Sequence, residues 1–323
     1  MSNFYGQYIG FGSSSAGAGG PTFQGEISGY THGGQPPGSG GYDRIDKFSF
    51  TTQANATDVA NLDTVAYGVG GGFRTGTHGM LAGGVSTGYA RIKDIQKYSH
   101  TADTNASNIG DLTWATETEG DVSDMGNGFG YLCGGNYYSP SLAVVKHKLK
   151  FSFVTGGGGT DIGDLTGSIR KKMAGATDGL YGYMMGGRNA SDSGDYNTID
   201  RWAYASGGDS VDVGNITVTR ATQAGASSLT YGYMVGGYRS YIGGGNIIDK
   251  FAFSASADST DVGNLTAGIQ SNCAHSATSY GYSAQGRVPV QNRIERFSFT
   301  SDVNATDWAD LTLARVGAGS SQI

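Results

Sequence analysis

Charge is scarce in this chain. Only 15% of its 323 residues are Asp, Glu, Lys or Arg, the formal net charge is −6, and the cations are scattered apart from Arg170–Lys171–Lys172. Without a basic stripe to displace counterions from a phosphate backbone, nucleic acid is excluded as an expected partner. The two cysteines, Cys133 and Cys273, make no disulfide framework and no C-x-x-C pair for zinc. Cys133 stands where equivalent segments carry Met185 and Val235, so it reads as a small core residue. Five prolines and few long-helix formers argue against helices. The first residues, MSNFYGQYIGFGSSS, lack a basic stretch leading into an apolar run, so no export signal is expected. No segment has the apolar length of a membrane span, and no membrane insertion is expected.

Residue sets that carry chemistry are also thin. His32, His78, His100, His147 and His275 have no metal-pair spacing between them. Asp302-x-Asn304-x-Thr306 offers oxygens at the first positions of a calcium loop, but the sixth-position glycine is missing and Leu313 replaces the closing glutamate. Gly156–Gly159 leads into Thr160–Asp161, which is not a phosphate loop. Paired carboxylates for glycoside hydrolysis cannot be judged from spacing, and Asp43, Asp94, Asp192 and Asp195 are dispersed among glycine and serine. The expectation is a protein without catalytic residues, metal or cofactor.

Glycine and aromatics are abundant instead. Glycine fills 57 of 323 positions with no Gly-X-Y period, beside 20 Tyr and 13 Phe. A disordered chain does not carry that many rings. One phrase recurs six times, clearest in Tyr231–Gly237 (YGYMVGG), Ile248–Phe253 (IDKFAF) and Asp261–Thr266 (DVGNLT). Its aromatic-x-aromatic part falls at Phe48/Phe50, Tyr98/His100, Phe151/Phe153, Trp202/Tyr204, Phe251/Phe253 and Phe297/Phe299, with spacings of 50, 53, 51, 49 and 46. Short strand-like pieces at a period near 50 predict an all-β, six-bladed β-propeller with four strands (a to d) per blade.

In the fifth repeat the expected strands are Arg220–Ser228 (a), Tyr231–Val235 (b), Ile248–Phe253 (c) and Asp261–Thr266 (d). The c–d connections carry Asn55–Asp58, Asn105–Asn108 and Asn304–Asp307, hairpin residues whose side chains bond nearby backbone. The first repeat opens at strand b (Ser28–Gly34), whereas Arg315–Ser321 past the last d strand matches Arg220–Ser228. The C-terminal segment is therefore expected to complete the first blade and close the ring over residues 25–323. Residues 1–24 stand outside the repeat. Phe4, Tyr5, Tyr8, Ile9 and Phe11, followed by Ser13–Gly20, read either as a frayed terminus or as an arm for attachment or oligomerisation.

The order Arg…Gly-Ala-Ser, aromatic-Gly-Tyr-x-x-Gly-Gly, Ile-Asp-Lys-Phe and Trp-x-x-Leu resembles kelch repeats, best at Asp307–Trp308–Ala309–Asp310–Leu311. Val59, Ile109, Ile162, Val213 or Val262 replaces that tryptophan elsewhere. The composition and aromatic arm are also similar to kelch-like virion proteins of tailed bacteriophages, in style and without a diagnostic motif. The resemblance to the kelch-fold copper-radical oxidase stops at the fold, since its two tyrosines, two histidines and cross-linked cysteine have no counterpart set.

The b–c loops vary between repeats and share one face with the d–a connections. They carry Tyr42, Tyr89, Tyr137, Tyr138, Tyr196, Tyr238 and Tyr241 with Arg91, Arg188, Arg239 and Arg287 among Gly, Ser and Asn. That is the composition of a recognition surface, or of rings packed over the blade beneath. At the start of strand a, Arg170, Arg220 and Arg315 would sit near the axial mouth, open to an acidic partner as the kelch resemblance implies, or held in salt bridges. The resulting expectation is a non-enzymatic virion appendage or decoration protein, assembled in the host cytoplasm. Its arm would dock on other virion proteins and its loop face on a host surface glycan or protein, with oligomeric state left open. A cytoplasmic interaction scaffold and a carbohydrate-active enzyme are the alternatives.

Overall fold

The computed structural model describes residues 23–38, 40–68, 72–117, 120–138, 141–239 and 243–323. The expected arm residues Phe4, Tyr5, Tyr8 and Phe11, and the loop residue Tyr241, lie outside them. Among the described residues all regular structure is β-strand, and no helix is long and apolar enough to cross a membrane.

Each repeat folds as an antiparallel meander. In the fifth, Ala224–Ser227, Tyr231–Val235, Gly243–Ala252 and Thr260–Ile269 pair in that order. Strand a is shorter than expected because Thr222 turns into the left-handed region (φ 58°) and interrupts it. The c and d strands are longer, since Gly243–Gly244 pairs with Tyr238–Arg239 and Gly245 pairs with Ile269. Among the described residues there are five four-stranded sheets, one of five strands, and small sheets of three and two. The first sheet is completed by Gly319–Gln322, which pairs with Ser28–His32 and sets Ser321 opposite Tyr30. The first strands of successive sheets touch one another: Gly72–Arg74, Gly120–Asp124, Ala174–Thr177, Ala224–Ser227, Cys273–Ser276 and Gly319–Gln322, the last also touching Gly72–Arg74.

The recurring motif has a packing reason at each position. In Tyr231–Gly232–Tyr233 the glycine lies under the Phe251 ring, and a Cβ there would sit 2.3 Å from it. Phe48, Tyr98, Phe151, Trp202 and Phe297 cover Gly29, Gly79, Gly130, Gly182 and Gly281 in the same way. The following tyrosine stacks on the second c-strand aromatic of the next sheet. Centroids are 4.5 Å apart for Tyr30–His100, 5.0 Å for Tyr131–Tyr204, 4.8 Å for Tyr183–Phe253 and 4.7 Å for Tyr233–Phe299. Tyr282–Phe50, at 4.8 Å, joins the sixth sheet to the first. Such a pair contributes about 0.5–1.5 kcal/mol beyond the area it buries.

The c–d turn residues do more than stabilise their own hairpins, which corrects the sequence expectation. Asn105, Asp209, Asp258 and Asn304 accept hydrogen bonds from the backbone N–H of Asn61, Asp164, Asn215 and Asn264 on the outer strand of the preceding sheet. Asn55 of the first sheet accepts from Asp310 of the sixth at 3.1 Å. Backbone pairs run alongside, including Ala305 to Asn264 and Ala56 to Asp310. These bonds satisfy outer-strand donors that would otherwise face solvent.

Candidate functional site

The three arginines placed at the axial mouth are not open to a partner. Arg170, Arg220 and Arg315 are fully buried, and each meets a c-strand aspartate of the sheet whose first strand follows it in the chain: Asp200, Asp249 and Asp46. Arg220 Nη2 lies 2.9 Å from Asp249 Oδ2. The same carboxylates accept from threonines on the connection entering that sheet, as Thr217 does to Asp249 and Thr312 to Asp46. Burial lowers Arg170 and Arg220 to about 10, and it raises Asp249 against the opposing pull of Arg220. This is a repeated internal clamp, in line with the salt-bridge alternative for these arginines and not with an acidic-partner mouth.

The loop tyrosines divide into two groups. Tyr42, Tyr196 and Tyr238 are half-buried beneath cations: Arg315 lies 5.7 Å from the Tyr42 centroid, Arg170 5.9 Å from Tyr196, and Arg188 4.5 Å from Tyr238. Arg188 is itself held by Asp195 through Nε and Nη2, at 2.6 and 3.1 Å. These rings stiffen the loop end of the molecule. Tyr89, edge-on to Tyr67 with centroids 6.5 Å apart, and Tyr138, with Arg91 5.6 Å from its centroid, are nevertheless 61% and 45% exposed, with Arg287 exposed and Arg239 half-buried on the same end. The loops are tied to the strand-a starts by backbone bridges such as Tyr67–Val85, Ala221–Tyr238 and Gln270–Arg287, so their positions are fixed by the sheets.

Tyr137 behaves differently. It is buried, in a three-stranded sheet that joins Ala115–Glu117 of the preceding d–a connection to Asn136–Tyr138 and Leu142–Val144 of the third repeat's long b–c loop. Its ring packs on Trp114 with centroids 5.6 Å apart. The two line a cavity of about 190 Å³ with Ser141, Ala143, Val145 and His147. Sequence reasoning passed over Trp114, although the equivalent positions are Thr64, Gly167, Val218, Ala267 and Leu313 and a lone tryptophan among small residues was a usable signal.

Between the first strands of the six sheets runs a narrow central space, with two parts of about 80 and 110 Å³. Asp121 lines both, accepts from Gly72 N–H at 3.2 Å, and has its carboxyl pushed up to about 8 by burial. Phe23 stands at the end of this space nearest the a–b turns. Gln24 is buried and donates to the carbonyls of Ala277 and Thr278. Residues 23 and 24 therefore pack with the sheets, which moves the expected arm boundary at residue 24 towards the N-terminus.

Three of the five histidines, scattered in the sequence, meet around the Gly319–Gln322 strand. His32 Nδ1 lies 2.9 Å from Tyr98 Oη, Tyr98 Oη 2.7 Å from Ser321 Oγ, and His100 Nε2 2.9 Å from the same hydroxyl. His275 Nε2 reaches the Tyr30 carbonyl at 3.0 Å. Burial holds His32 and His100 down at about 3 and His275 at about 4. Cys133 and Cys273 are buried, and burial raises both thiols. Asp302, of the calcium-like turn, holds Lys250 at 2.6 and 2.8 Å. Compared with known proteins, the chain matches no family model and no curated protein.

Proposed function

We propose that the six sheets are the blades of a kelch-like β-propeller closed by the C-terminal strand, and that the protein is a non-enzymatic virion component of a tailed phage, an appendage or decoration protein. Closure is supported by three contacts between the last sheet and the first: the Tyr282–Phe50 stack, the Asn55–Asp310 bond and the Gly319–Gln322 strand.

The observation that carries the functional reading is the difference between the two ends of the body. At the a–b and c–d turns, Ile27, Val154, Leu180, Val211, Leu229 and Val303 are all exposed, and the N-terminal segment enters there at Phe23–Gln24. Scattered exposed aliphatics are ordinary, and Ile169 and Val288 are exposed at the loop end, but the larger share on the end where Phe23–Gln24 packs suits attachment to a particle. The opposite end presents Tyr89, Tyr138, Arg239 and Arg287 among glycine and serine, suited to contacting a host surface glycan or protein. An acidic-partner scaffold is less well supported, because Arg170, Arg220 and Arg315 are occupied internally.

The test is surface staining of bacterial isolates with fluorescently labelled protein. Isolates stained by wild type and not by the Tyr89→Ala/Tyr138→Ala variant support recognition through the loop end. Equal staining by both proteins, or none of any isolate, overturns it.

A further inference from the structure

Three residues that break the repeat converge on one cavity. Trp114 stands where the other repeats have Thr64, Gly167, Val218, Ala267 and Leu313; Tyr137 lies in the longest b–c loop; and His147 occupies a position held by Arg44, Asp94, Thr198, Ile247 and Arg293. The positions of Trp114 and His147 differ from repeat to repeat, and in the third repeat they bring an indole and an imidazole to the same cavity as Tyr137. The extra three-stranded sheet supplies the walls, Tyr137 backs the indole, and Val145 and Ala143 complete an apolar lining.

The rim is polar and charged. His147 Nδ1 lies 3.0 Å from Asp164 Oδ1 and 3.2 Å from Asp161 Oδ2, and Lys146 Nζ lies 3.1 Å from Asp164 Oδ2. All four side chains are partly exposed. Beyond Lys146 a wider, open depression of about 500 Å³ is lined by Ile169, Asn189 and Tyr196 among others. Asp164 thus links one lining residue of each hollow, His147 and Lys146.

We propose that this is a saccharide-binding site: the cavity takes one pyranose residue against Trp114, and the open depression takes the next residue of the chain. The volume is below the ~300–1,000 Å³ that encloses a drug-sized ligand, which suits a single ring entering from a longer chain. A pyranose has an apolar C–H face that packs on an aromatic ring and an equatorial rim of hydroxyls. Carboxylates accept from such hydroxyls, and lysine donates to them. With a net charge of −6 and the Asp161–Asp164 rim, the chemistry fits neutral or amino sugars better than polyanions. This inference deepens the proposed surface recognition and rests on it for its biological setting, but the binding itself is testable on the purified protein.

Calorimetric titration with methyl glycosides of glucose, galactose, mannose and N-acetylglucosamine, and with trisaccharides of each, is the experiment. At least one sugar is expected to bind saturably, its trisaccharide about tenfold or more tighter than its methyl glycoside. Wild-type tryptophan emission is expected to shift during the titration, a change that reports on Trp114 because Trp202 and Trp308 are buried. Trp114→Ala, and independently Ala143→Phe, which fills the cavity from its exposed edge, are expected to lose at least tenfold in affinity, Ala143→Phe at an unchanged Tm. No saturable binding across the panel, or undiminished binding by a correctly melting Ala143→Phe protein, overturns the site. If wild type and Ala143→Phe stain cells equally, the pocket falls while surface recognition stands. If the sugar binds and no isolate is stained, the pocket stands and the recognition reading falls.

Discussion

At the scale of residues, the arginine clamp explains a pattern visible in the sequence only as co-occurrence. Where strand a opens with Arg170, Arg220 or Arg315, the c strand carries Asp200, Asp249 or Asp46; where it opens with Tyr67 or Ile269, the c strand carries Gln96 or Glu295. Glu295, lacking that arginine, has Arg293 at 3.3 Å and accepts from Thr266. The arginines were legible as a repeated position, but Asp249 lies 29 residues from Arg220 and Asp46 lies 269 from Arg315, each on another strand, and periodicity does not say which side chains face each other. Removing one member leaves a buried charge without its counterion, so Arg220→Met is expected to cost about 3–5 kcal/mol in denaturant unfolding. The double variant Arg220→Met/Asp249→Leu is expected to recover most of that loss, because the penalty belongs to the orphaned carboxylate.

At the scale of elements, strands b and c could be read closely because the motif encodes their mutual packing. The glycine of aromatic-Gly-Tyr is the seat of the facing ring, and that fixes the register: Gly232 opposite Phe251, Gly182 opposite Trp202. Gly232→Ala is accordingly expected to destabilise by about 1–3 kcal/mol, the usual effect of overpacking, with Phe251→Leu restoring part of it in the double variant. Equilibrium unfolding of the three proteins measures this. The three-stranded sheet around Tyr137 was not legible, since it pairs Ala115–Glu117 with Asn136–Tyr138 outside the repeat phrase. The candidate site suffered in the same way: a loop rich in Tyr and Arg signals exposure or packing equally, and only the neighbours decide that Tyr238 lies half-buried beneath Arg188 while Tyr89, edge-on to Tyr67, is mostly exposed.

At the scale of the whole molecule, pH should act on the seam where the chain closes. His32, His100 and His275 are held neutral around Gly319–Gln322, with folded values of about 3, 3 and 4. Unfolded histidine takes a proton near 6.5, so the unfolded chain binds more protons below that point. Stability from this seam is complete above about pH 6.5 and is lost as pH falls towards the folded values, on the order of 2–3 kcal/mol per histidine by about pH 4. Asp121 acts in the opposite sense. Its folded value of about 8 stands above the ordinary 3.8, so its cost appears above that ordinary value and grows up to about pH 8. Melting curves across this range should therefore show Tm falling below pH 6.5, and Asp121→Asn should raise Tm at pH 8 while leaving it unchanged near pH 4.

The pairing of Ser28–His32 with Gly319–Gln322 also orders events during synthesis. The first sheet lacks one of its four strands until Gly319–Gln322 has been translated, roughly 15–60 s after Ser28–His32 at 5–20 residues per second. Over that interval Ser28–His32 has an open edge while the five later sheets can already meander from their own consecutive strands. The nascent chain thus carries an open edge at Ser28–His32 throughout that interval, and a ribosome that stalls just before Gly319 leaves five sheets formed and the first unsealed.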